Sequence, residues 1–160
     1  MKTKSVILSL LVSGIFLFQS HNSYAQSAGK TAALETIGMQ GGLVLYNTYC
    51  FIGAINDGFV NKAWTKETCD DLLDEQISMM GKMYDQYSKF VETKYLTDPD
   101  DSASLMQMMK GVKLLKQEAA DLKSDIDNPT DSTHGTYSDA REEAWKLIAD
   151  FLDLKDDNTK

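Results

Sequence analysis

Between Cys69 and Phe90 the core-type residues return every three or four positions: Cys69, Leu73, Gln76, Met80, Met83, Tyr87 and Phe90. A strand alternates every second residue, so this spacing admits a helix with one inward seam and little else. Leu72, Ile77, Tyr84 and Val91 widen the seam into a stripe broad enough to face a core. Thr65 suits the N-cap, and Glu67 falls in the first turn, where the helix dipole favours negative charge. The pattern predicts a helix over residues 66–96.

Three further segments share this period. Leu105, Met108, Val112, Leu115, Ala119, Leu122 and Ile126 predict a helix over 99–127, with Asp98 as cap and Pro99 at the first helical position. After a loop by composition at 128–136, a shorter helix is expected over 138–154. Ala140, Ala144, Leu147, Phe151 and Leu154 would face inward there, and Arg141, Glu142 and Lys146 outward. The first segment, 31–57, differs. Its seam reads Met39, Leu43, Tyr46, Cys50 and Gly53, but Val44, Phe51 and Ile55 make a second apolar face, so burial on nearly all sides is expected. Glycines cost roughly 1 kcal/mol each against Ala inside a helix. Gly38, Gly41, Gly42 and Gly53 therefore suggest close approach of a neighbouring backbone, and Gly58 suggests the C-terminal stop.

Four helices with short connections give an all-α fold, an antiparallel up-down-up-down four-helix bundle spanning residues 26–160. Because the last helix is the shortest, one end should be under-covered. The two-sided apolar face of helix one would be exposed there or closed by a second copy, so a homodimer through helix one is expected.

Residues 1–25 read differently. Lys2 and Lys4 precede an apolar run from Val6 to Phe18 and a small-x-small exit at Ser23-Tyr24-Ala25, the pattern of a cleaved signal peptide. The run is shorter than the roughly 20 residues a membrane span needs. No span is expected in the mature chain, which would be periplasmic or secreted. Losing Lys2 and Lys4 takes 16 basic residues to 14 against 24 acidic ones, a net charge of −10. Such a charge disfavours nucleic acid, whose affinity comes mostly from cations meeting phosphates. It favours solubility, or a basic partner protein.

Motifs that carry chemistry are sparse. Two cysteines in an exported chain suggest one disulfide, Cys50–Cys69, contributing roughly 3 kcal/mol in the chain-entropy model. A redox pair has less support, for there is no Cys-x-x-Cys spacing. His134 is the one histidine outside residues 1–25, so neither a haem-attachment nor a di-iron Glu-x-x-His motif can be built. The clusters Asp70-Asp71-Asp74-Glu75, Asp98-Asp100-Asp101 and Asp150-Asp153-Asp156-Asp157 lack the calcium-loop pattern and read as first-turn charge and solvated faces. No catalytic residue, metal or cofactor is expected. A ligand pocket lined by Tyr46, Met83 and Tyr87, with Asn47 or Gln76 supplying polarity, remains open beside a plain aromatic core in which Gln76 fixes register. The leading expectation is an exported, non-enzymatic bundle that binds a protein or small ligand in the cell envelope. The alternatives are an inhibitor or immunity-type protein that blocks a basic partner, and an enzyme or cofactor carrier with a pocket beside helix one.

Overall fold

A computed structural model describes residues 23–154, with side-chain surroundings from Leu34 onward. The expected signal peptide lies almost wholly outside the described residues. The chain divides into two units, Met1–Ala33 and Leu34–Lys160. Of the first, residues 23–33 are helical; everything below concerns the second. Among the described residues there are four helices and no strands, consistent with a four-helix bundle: α1 Ser23–Val60, α2 Lys66–Glu92, α3 Pro99–Asp127 and α4 Asp131–Phe151. None is long and apolar enough to cross a membrane.

Local chemistry sets the helix ends. Thr65 caps α2 by accepting from the Thr68 amide at 3.2 Å, and Asp98 caps α3 by accepting from the Asp100 amide at 2.8 Å. Each satisfies a first-turn donor that has no partner inside its helix. Three expected boundaries move. Helix α1 runs past Gly58 to Val60, and the chain turns at Lys62, which takes φ 57°. Gly58 is not the stop. It seats an indole instead, since a Cβ there would lie 2.6 Å from Trp64 Cε3. Helix α2 ends at Glu92 rather than near 96, because Lys94 turns left-handed (φ 53°) and brings Tyr95 back to 5.9 Å from the Phe90 ring. Helix α4 begins at Asp131, inside the expected loop. Thr130 and Thr133 form a reciprocal capping box, and Thr133 also donates to Asp125 Oδ1 at 2.8 Å. Those bonds outweigh the loop-like composition around Gly135.

Packing follows the seams in α3, where all seven predicted positions are buried. In α2 the seam is buried from Cys69 to Met80, while Met83 and Tyr87 pack half-buried against the core. In α4 the buried residues are Tyr137, Ala144 and Ile148; Leu154, expected inside, is exposed. Helix α1 is rotated from its expected setting. Leu45, Thr48, Ile52 and Ile55 face the core, whereas Met39, Leu43 and Cys50 of the expected seam are exposed.

That rotation also decides the cysteines. Both are free: Cys50 is exposed on α1 and Cys69 is fully buried on α2. The expected disulfide is corrected, because it required both residues to sit on inward seams and only Cys69 does.

Candidate functional site

Polar chemistry concentrates where α1, α3 and α4 meet. Glu118 occupies the seam of α3 between Leu115 and Leu122 and has no solvent exposure. Arg141 reaches it from α4, with Nη1 donating to Glu118 Oε1 at 2.5 Å. The same nitrogen donates to the Tyr49 carbonyl on α1 at 3.3 Å, and the guanidinium carbon lies 3.9 Å over the Tyr49 ring. Gly53, one turn further along α1, makes room for it: a Cβ there would stand 2.5 Å from Arg141 Nη2. Arg141 was expected to face outward; it is the inward-reaching cation of this cluster.

Two enclosed atoms beside this pair have no partner, Glu118 Oε2 and the Tyr137 hydroxyl. Burial pushes the Glu118 carboxyl up to about 7, because Arg141 pulls in the opposite direction without matching the loss of water. Burial likewise pushes the Tyr137 hydroxyl up to about 12. Around them, the Tyr49 and Tyr46 rings lie 5.4 and 6.4 Å from the Trp145 ring. The arrangement can hold three helices in one relative setting, since any slip would separate a buried charge from its counter-charge. The Glu118 carboxyl is sealed from solvent, while Arg141, bonded through Nη1 to Glu118 and to the Tyr49 carbonyl, stays partly exposed.

The expected pocket residues are divided between α1 and α2. Tyr46 packs toward Trp145 on α4, and Asn47 is exposed on α1. Gln76 is buried on α2, with Met83 and Tyr87 half-buried further along that helix. Tyr46, Met83 and Tyr87 all pack against the core. A hollow of about 240 Å³ does exist on the outside of the α2–α3 seam, lined by Met80, Gly81, Tyr84, Val112, Lys113 and Lys116. None of the five expected residues belongs to it. His134, expected in a loop, lies in the first turn of α4, its Nδ1 3.2 Å from Asp125 Oδ2. Among the described residues no group of three or more His, Cys, Asp or Glu side chains could hold a metal ion.

The remaining surface feature is the outer face of α1. Met39 is 68% exposed, Leu43 49%, Val44 41% and Phe51 37%. No charged residue occurs from Thr36 to Asn56. Comparison with protein-family models, curated proteins and solved structures finds no match.

Proposed function

We propose that this chain is an exported helical bundle that acts by binding in the periplasm or outside the cell, with no catalytic step of its own. Its contact surface is the outer face of α1. The observation that supports this reading most is the exposure of Met39, Leu43, Val44 and Phe51 on a helix face without charge. Exposed apolar surface rimmed by polar residues is a mark of interaction sites. Export rests on Lys2, Lys4, the Val6–Phe18 run and the Ser23-Tyr24-Ala25 exit, which place the mature start at Gln26. The bundle connects up-down-up-down. Supporting this, Lys66 at the start of α2 meets Asp127 at the end of α3, and Thr133 at the start of α4 meets Asp125.

The first occupant of the α1 face is a second copy. Each chain carries a net charge of −8, or −10 after cleavage, so most approaches between copies are repulsive. The uncharged face of α1 lets two copies meet without opposing carboxylates. Sedimentation equilibrium on the mature chain should show a dimer that Leu43→Glu and Phe51→Glu convert to monomer with unchanged helical circular dichroism. A wild-type monomer at every concentration would refute self-association. Export is judged separately: intact mass from the envelope fraction should begin at Gln26, and a full-length cytosolic chain would refute it.

A further inference from the structure

The outer edge of the α2–α3 seam is closed by ion pairs. Lys66 bridges Asp70 and Asp127, and Lys123 Nζ lies 2.5 Å from Asp74 Oδ1. Seven residues along each helix from the Asp74–Lys123 pair, the equivalent positions are Gly81 and Lys116. The rung is present with one partner missing: Lys116 Nζ stands 3.7 Å from where a Gly81 Cβ would be, and among the described residues it makes no ion pair. Lys113, one turn away, is likewise unpaired among the described residues.

The hollow of about 240 Å³ opens beside Gly81. Its floor is apolar, for Met80 is 1% exposed and Val112 fully buried, and Tyr84 forms an aromatic wall. Two unpaired cations therefore rim an apolar depression, on a chain whose overall charge is −8. What sets these two lysines apart from the other unpaired ones is the apolar hollow they line. The volume lies below the roughly 300–1,000 Å³ of drug-sized sites, so the ligand is small.

We propose that this hollow binds a small monocarboxylate with a compact apolar body, of the size of hexanoate or benzoate. The carboxylate takes the place that Asp74 holds one heptad away, bonded to Lys116 and Lys113, and the hydrocarbon lies on Met80 and Val112 against Tyr84. The site is separate from the α1 face, and its test does not depend on dimerisation. Few ligand atoms and an open mouth imply a Kd on the order of 1 mM.

Titration of the ¹⁵N-labelled chain with hexanoate tests this by amide shifts. They should be confined to residues near 80–84 and 112–116 and weaken with added salt, as exposed ion pairs do. Hexanol, with the same body and no charge, should bind about tenfold more weakly, and inorganic phosphate, charge without body, likewise. Gly81→Asp should abolish binding by supplying Lys116 with its own carboxylate, and Lys116→Gln should weaken it several-fold while leaving the rest of the spectrum in place. Equal binding of hexanoate and hexanol, shifts scattered over the surface lysines, or undiminished binding by folded Gly81→Asp and Lys116→Gln chains would each overturn the proposal.

Discussion

Replacing Glu118 by Gln should change how stability depends on pH, and the size of the change follows from the burial of one carboxyl. Neither oxygen of Glu118 reaches water, Oε2 has no partner, and Arg141, itself 28% exposed, shares its charge with solvent. The folded-state pKa is about 7 against an ordinary 4.5. Between those values the folded chain holds a proton that the unfolded chain has released. Stability therefore falls as pH rises, fully present below about pH 4.5 and lost through about pH 7. At about 1.4 kcal/mol per unit of pKa, the total is about 3 kcal/mol. That is a large share of the roughly 5–15 kcal/mol typical of a domain. Gln keeps the oxygen that accepts from Arg141 but cannot titrate. Urea unfolding of both proteins from pH 4.5 to 8, followed by circular dichroism, isolates the effect in the difference between them. Asp127 and Glu142, held below their ordinary range by hydrogen bonds from Lys66 and Lys146, act in the opposite sense at lower pH and cancel in that difference. Wild type should lose about 3 kcal/mol relative to Glu118→Gln between pH 4.5 and 7.5 and nothing more above it. Parallel curves across that window would refute the argument.

Two glycines should respond in opposite ways to alanine. Gly53→Ala displaces Arg141 from Glu118 and should destabilise by about 2 kcal/mol, even after the gain in helix propensity. Gly81→Ala meets nothing closer than 3.7 Å and should raise stability by about 0.5–1 kcal/mol, both read from urea midpoints. Thr130→Ala removes the capping box of α4 and should cost about 1 kcal/mol, with faster amide exchange at residues 131–134. Thiol titration without reductant should find Cys50 reactive in the native protein and Cys69 only in denaturant; an absence of titratable thiols would contradict the geometry.

How much of this was legible depends on whether each helix has one apolar face or two. Helix α3 has one, and its seam could be read residue by residue. Its partner charge could have been read as well. Glu118 falls at three-four spacing among Gly111, Leu115 and Leu122, and Arg141 does so among Tyr137, Ala144 and Ile148. Opposite charges at seam positions of successive helices are a signal for a buried pair, and that signal is masked at Arg141 by its neighbours Glu142 and Lys146, which do face water. The start of α4 was obscured by Gly135 and Thr136, which look like loop; the Thr130–Thr133 spacing that decides the matter lacks the acidic residue usual at that position.

Helix α1 was not legible because periodicity carries no information when apolar residues occur on every side. The rotation puts several small residues inward together with Leu45, Ile52 and Ile55. The buried face includes Gly41, Gly42, Thr48 and Gly53, small residues that let neighbouring side chains come close, while Met39, Leu43 and Phe51 remain outside. An isolated bundle gains about 1.5–3 kcal/mol for each large apolar side chain it buries. By that measure, α1 gains from burying Leu45, Ile52 and Ile55 and leaves the same gain unused at Met39, Leu43, Val44 and Phe51. Exposed residues of this kind contribute little to the lone chain, and they would contribute fully on contact with a second surface. The feature that defeated the seam reading of α1 is thus the same one that supports a binding role for its outer face.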